Sequence, residues 1–248
     1  MPINYARLLT GADRTAEANE HLGYALAFVA GATNAGGFLA VHQYTSHMTG
    51  IVSSMADGVV LGSMDVVLSG FGGLLSFVLG AMTSAMLINY ARRRRLSSAY
   101  ALPLLLEAVL LLCFGMAGGA LQYLHAVFVP ATVMLLCFIM GLQNAAISKI
   151  SRSEIRTTHI TGTITDIGIE CGRLLYWNHP ATQGPRVLAN RRRLRLLVWL
   201  AISFFVGGLL GAVGFRHAGY LCTVPLAVML LTLAAVPAFD DLRKVRGG

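Results

Sequence analysis

Thr157-Thr158-His159-Ile160-Thr161-Gly162 is a near copy of Thr45-Ser46-His47-Met48-Thr49-Gly50. Each stretch follows a long apolar segment that carries a Gly-x-x-Asn-Ala sequence. The first is Gly31-Ala32-Thr33-Asn34-Ala35 and the second Gly141-Leu142-Gln143-Asn144-Ala145. Further matches follow in the same order: Ser76 to Gly80 with Ser203 to Gly207, and Pro103-Leu104 with Pro225-Leu226. Ordered recurrence of this kind is the mark of internal duplication, so the chain reads as two halves of one plan.

The material between these motifs belongs in a membrane. Of 248 residues, 56% are hydrophobic and only 12% charged, and the mean hydropathy is +0.66. A soluble domain carries about 25% charged residues. The net charge of +8 comes from short basic clusters between apolar runs, as expected of cytoplasmic flanks rather than a nucleic-acid surface. The first twenty residues hold Arg7, Asp13, Arg14, Glu17 and Glu20 without an apolar core, so no cleaved signal peptide is expected. Cys113, Cys137, Cys171 and Cys222 stand singly in apolar surroundings and read as small packing residues.

Six stretches are long enough to cross a bilayer, for which about 20 residues are needed. They are 22–41, 67–90, 100–121, 126–146, 194–215 and 219–237. Two others, 50–62 and 163–177, are read as helices too short or too poorly flanked to span. Charge placement then decides the topology. If both short helices dip in and return, the termini share the cytoplasmic side, and of nineteen Lys and Arg residues only Arg216 faces outside. The expected fold is an all-α polytopic helix bundle with six spans, two short re-entrant helices and two inverted repeats. Its parts are a cytoplasmic segment over 1–21, a first repeat over 22–121 with its re-entrant helix at 50–62, a second repeat over 122–238 with its re-entrant helix at 162–177, and a cytoplasmic tail over 239–248.

In such an arrangement the first polar knot starts outside and the second inside. Non-helical backbone at membrane depth survives only where it is buried in protein or lines a wet cavity. Thr49 or Thr161 can cap the short helix that follows, and Gly50 or Gly162 lets a backbone or a solute come close. The helix starts offer free N–H groups to an anion. His47 and His159 add donors that switch with protonation. Asn34, Gln143 and Asn144 supply amides at the ends of their spans. The expected solute-binding set is therefore Asn34, His47, Thr49, Gly50, Gln143, Asn144, His159, Thr161 and Gly162. Asp57, Asp166 and Glu170 in the short helices are candidates for a proton or ion relay, and Glu107 is a further carboxyl inside a span.

No GxSxG, HExxH, Walker A or dinucleotide fingerprint occurs, so hydrolase and ATP-driven chemistry lack their parts. No enzyme activity, cofactor or metal is expected. The expected partners are the lipid bilayer and a small solute, with self-association allowed.

Gly31-x-x-Asn34-Ala35, Thr49-Gly50, Gly141-x-Gln143-Asn144-Ala145 and Thr157 to Thr163 together resemble the YoaK family of bacterial membrane proteins, whose function is unknown. The resemblance covers nearly the whole chain and implies a bacterial inner-membrane protein. The chain departs from the family pattern in carrying Asn34 where an acidic residue is usual, and Ile51 where Asn commonly follows Thr-Gly. Both departures remove polarity from the first knot. The leading expectation is a transporter or channel for a small solute, more often anionic, with its site near the midplane between the repeats. The alternatives are a non-transporting scaffold or sensor subunit and, less favoured, a membrane-embedded enzyme.

Overall fold

A computed structural model describes residues 15–96, 99–121, 125–179 and 184–246, with side chains placed outside 119–128 and 236–246. The expectations for the first fourteen residues, for the boundary near residue 122 and for Pro180 fall outside the described residues.

All regular structure among the described residues is helical. The elements are α1 (Ala16–Val41), α2 (Met48–Leu61), α3 (Met64–Arg93), α4 (Ala101–Leu121), α5 (His125–Ile150), α6 (Ile160–Leu175), α7 (Arg191–Ala218), a 3-10 turn (Gly219–Cys222) and α8 (Thr223–Arg246). Among the described residues five stretches are long and apolar enough to cross a membrane, and the last, Arg191–Ala235, runs through α7, the turn and the start of α8. The chain is thus a multi-pass membrane protein. At 1.5 Å per residue, the 14 residues of α2 and the 16 of α6 reach only about 21 and 24 Å.

Helix ends follow local chemistry. Thr15 caps α1 by accepting from the Ala18 N–H at 3.1 Å, and Asn190 caps α7 by accepting from the Arg193 N–H at 3.0 Å. Gly62 closes α2 in the left-handed region at φ 72°, as glycine allows at little cost. Pro103 and Pro225 sit in the first turns of α4 and α8, where the missing N–H would have had no helical partner.

Several boundaries differ from the sequence reading. α1 ends at Val41, as read, with Asn34 inside it, whereas α5 runs past the expected end at 146 to Ile150; a glycine does not end a helix whose neighbours fit against it. A side chain at Gly36 would collide with Phe215, and one at Gly37 would come within 2.9 Å of Leu136. The last helix likewise continues past Pro237 to Arg246.

The core is built from two close helix pairs. Along α1 and α7, Gly23 lies beside Leu200, Gly31 beside Phe204 and Gly208, and Gly36 beside Phe215, so these helices run parallel. Along α3 and α5, Gly73 lies beside Val133 and Cys137, Gly80 beside Phe138 and Leu142, and Asn89 accepts from Lys149 at 2.9 Å, so these are parallel too. In both pairs glycine admits a backbone. A methyl at Gly31 would enter the Phe204 carbonyl, and one at Gly207 the Phe28 carbonyl. Gly141 stands in the same relation to Phe77, and Gly80 to Phe138. Small residues of this kind let membrane helices pack where no hydrophobic force drives them together. The pairs meet where α1 crosses α5 in the antiparallel sense, Gln143 Nε2 donating to the Leu26 carbonyl at 3.2 Å. Val29, Ala30, Ile139 and Met140 fill the crossing, all fully buried. α4 and α8 pack on each other and complete the bundle.

Candidate functional site

Each polar knot is a backward step of the chain. After α1 ends at Val41 the backbone returns until Ser46 donates to Asn34 Oδ1, through its N–H at 3.3 Å and its Oγ at 2.9 Å. After α5 ends at Ile150 it returns until Thr158 Oγ1 donates to Asn144 Oδ1 at 2.8 Å. Asn144 also donates to the Met140 carbonyl at 2.8 Å. The residue before each of these donors, Thr45 or Thr157, is buried, and its hydroxyl has no partner among the described residues.

The short helices then begin. Their N-caps are His47 and His159, with φ,ψ of −92°, 70° and −85°, 57°, and neither side chain caps a backbone N–H. Thr49 and Thr161 were expected to cap; they lie instead within the first helical turn, exposed. The imidazole of each histidine folds over the glycine three residues on. A side chain at Gly50 would strike His47, and one at Gly162 would strike His159. Both histidines are exposed.

Beyond the helix starts the two regions part. α2 lies on α3 through hydrocarbon: Ile51 and Met55 cover Gly70, and Val67 covers Gly58. Asp57 is exposed and makes no ion pair among the described residues. α6 lies on α7 through charge. Asp166 pairs with Arg193 at 2.9 Å. The buried Glu170 accepts from Arg173 at 2.8 Å and from the Asn190 N–H at 2.8 Å, so both its oxygens are engaged. Nearby, Arg192 pairs with Glu20 at 2.7 Å.

Between the starts of α1 and α7, the loop before the second knot and α6 lies a cleft of about 830 Å³. His159, Gly162 and Asp166 line it, with Asn19, Glu20, Arg156, Asn190, Arg192 and Arg193. The structure therefore gathers three of the expected site residues. Asn34, His47, Thr49, Gly50, Asp57, Gln143, Asn144, Thr161 and Glu170 do not line this cleft. Gln143 is fully buried beside Leu26, and its Oε1 has no partner among the described residues. Sequence reasoning passed over Thr45, Thr157, Ser46 and Thr158. The available signal was a hydroxyl residue at the first two places of both copies.

The comparisons agree with the membrane reading. The chain is 32% identical over 213 residues to a UPF0700 transmembrane protein of Rhizobium meliloti (strain 1021), covering 85% of this chain and 83% of that one. It is 27% identical over 145 residues to the UPF0700 transmembrane protein YoaK of Bacillus subtilis (strain 168), covering 57% of this chain and 62% of YoaK. No solved structure matches. The family described as protein of unknown function (DUF1275) matches residues 22–236, and the chain belongs to that family.

Proposed function

We propose that this chain is a transporter or channel for a small solute in the bacterial inner membrane, built from two inverted repeats. It has six spans, both termini in the cytoplasm, and α2 and α6 as re-entrant helices. The observation that carries this reading is that the knots are built alike. In each, an asparagine of the preceding helix holds a hydroxyl residue, a buried threonine stands before it, and a histidine folds over a glycine at a short-helix start. Residues that hold the two tight helix pairs together correspond in the same way, Gly31 to Gly141 and Gly80 to Gly207. In six spans the parallel sense of each pair leaves α2 and α6 returning to the side they came from.

Two polar breaks at membrane depth are costly unless protein buries them or they line a wet path, and the exposed histidines and threonines at the two helix starts favour the path. The free N–H groups at the starts of α2 and α6, next to His47 and His159, favour an anion. Asn34, Thr49, Gly50, Gln143, Asn144, Thr161 and Gly162 complete the proposed path. Asp57, Asp166 and Glu170 are its carboxylates. The protein carries out no covalent chemistry in this reading.

A second reading has one observation in its favour. Val29, Ala30, Ile139 and Met140 close the crossing between the knots, and the cleft touches only the second knot. In a scaffold or sensor subunit the knots would be packing devices.

Purified protein in liposomes separates these readings. Influx of chloride, acetate and phosphate is measured for wild type, His159→Ala and Thr161→Val. Transport predicts that at least one anion enters faster than into protein-free liposomes, and that both substitutions slow it. Equal flux in all three proteins sinks the role of the knot. Cysteines placed at Met48 and Ile160 are expected to label from opposite faces, and labelling of both from one face would overturn the inverted arrangement.

A further inference from the structure

Glu107 is fully buried in α4, and neither of its carboxyl oxygens has a hydrogen-bond partner among the described residues. It stands seven residues after Tyr100 and seven before Phe114, about 10 Å from each along the helix axis. Leu104, Ala108 and Leu111, its neighbours along α4, are fully buried, as are Ala227, Leu230 and Ala234 on α8. All six belong to the one large apolar cluster of the bundle.

An ionised carboxylate cannot rest there. Removal of its hydration is repaid only by a counter-charge or by donated hydrogen bonds, and among the described residues the surrounding elements supply neither. From Thr223 to Ala235, α8 carries no titratable side chain. From Val129 to Ile150, α5 carries Cys137 and Lys149, and Lys149 is bonded to Asn89 at 2.9 Å. On α3 the charged groups stand at the ends: Asp65 at one, Arg92 and Arg93 at the other, with Arg92 bonded to Tyr100. The 3-10 turn has Tyr220 and Cys222, and α4 has Cys113, with Tyr100 just before its start. A bound metal cation would need several oxygen ligands, whereas a proton needs one.

We propose that Glu107 is a proton-binding site: a neutral carboxylic acid while α4 and α8 are closed on each other, which exchanges its proton with water when they part. Small residues line the seam and bring the two helices close, so that a carboxyl within it meets water only when they part. Gly115 lies against Thr223 and the Tyr220 carbonyl, Gly118 lies against the Tyr220 ring, and Ala108, Ala227 and Ala234 follow. On opening, the acid gives its proton to water and leaves a hydrated carboxylate. The carboxylate must regain a proton from water before the seam can close. If the transport reading above holds, this obligatory reloading ties a proton to each cycle.

Infrared difference spectroscopy of wild type against Glu107→Gln tests the site without any solute. At neutral pH the difference is expected to contain the C=O stretch of a protonated acid, and in D2O that band is expected to shift as the proton exchanges. Carboxylate bands in its place would overturn the assignment. So would an acid band that never shifts while the amides of the short helices do, since that is a sealed structural acid. Glu107→Gln keeps shape and neutrality and is expected to fold. Should it fail to fold, Glu107→Asp against wild type gives the same bands displaced. In liposomes, a pH gradient should drive uptake of whichever anion enters in wild type and Glu107→Asp, and not in Glu107→Gln. Equal pH-driven uptake in all three overturns the coupling. If no anion enters with any of them, the transport reading falls and the infrared result still decides the proton site.

Discussion

At α2 the hairpin onto α3 is shut by Ile51, Met55 and Val67 over glycines; at α6 the hairpin onto α7 is held by Asp166 with Arg193 and by Glu170 with Arg173 and the Asn190 N–H, with a cleft open beside it. The helix starts themselves are nearly superposable in chemistry. One local motif has therefore been closed in two ways. Hydrocarbon closure excludes water and has no charge to respond to. In the ionic closure the exposed Asp166–Arg193 pair can be taken over by water at little cost, while the buried Glu170 is held through both oxygens. The difference predicts that the contact of α6 with α7 responds to salt and that of α2 with α3 does not.

The comparison breaks most readily at the helix pairs that both regions lean on. Alanine at Gly31, Gly80, Gly141 or Gly207 drives a methyl into a backbone carbonyl that cannot turn aside. Overpacking of that kind costs about 1–3 kcal/mol or more, and here the upper end is expected. All four variants should lower the apparent melting midpoint in detergent by similar amounts. If Gly31→Ala and Gly207→Ala are ruinous while Gly80→Ala and Gly141→Ala are tolerated, the two pairs are not equivalent.

Next in size is Glu170. Its replacement by alanine strands Arg173 and frees the Asn190 N–H, at about 1–3 kcal/mol for hydrogen bonds to a charged group. The loss is expected to appear as faster hydrogen exchange in α6 and at the start of α7, with α2 and α3 unchanged. Spread of that change into α3 would show that the two hairpins are not independent.

The histidine and glycine of each knot give a finer test. Gly50→Ala or Gly162→Ala should displace the imidazole above it, so each costs less once the histidine is already alanine. Coupling energies between touching residues run from about 0.5 to 3 kcal/mol, and the lower half of that range is expected here because the ring is exposed and can turn. Melting of the single and double variants measures it. Strictly additive effects at either knot would mean that the ring is not held over the glycine.

Much of the fold was legible because membrane helices advertise themselves. The apolar runs, the basic clusters and the small residues at Gly31, Gly80, Gly141 and Gly207 are local signals, and the helices stand where those signals put them. Helix ends were less legible. The fourth span read as ending at 146, just after Asn144-Ala145, whereas α5 runs on to Ile150; α1 ends at Val41 as read, with Phe215 and Leu136 packed against Gly36 and Gly37 inside it. Thr49 and Thr161 read as caps from propensity alone. The chain's return to Asn34 and Asn144 instead fixed the histidines at those positions and buried Thr45 and Thr157. Which helices pair across the two halves, and that Glu170 would reach the backbone of Asn190 across a long loop, depend on contacts between distant residues that no local pattern encodes.

The smallest expected effect is also the one that most directly separates α6 from α2. Arg193 and Asp166 keep 51% and 38% of their side chains exposed, so solvent screens the pair and its worth is about 0–1 kcal/mol. Asp166→Asn should barely change the melting midpoint. Even that small term favours one position of α6, and an exposed pair weakens with salt over a Debye length of about 8 Å at physiological ionic strength. A cysteine at Ile160 should therefore label faster in Asp166→Asn than in the parent, and added salt should speed the parent while leaving the variant unchanged. A cysteine at Met48 should respond to neither, because Ile51 and Met55 close α2 without charge. Salt-sensitive labelling at Met48 would show that the first hairpin also opens, and the contrast between ionic and hydrocarbon closure would then fail.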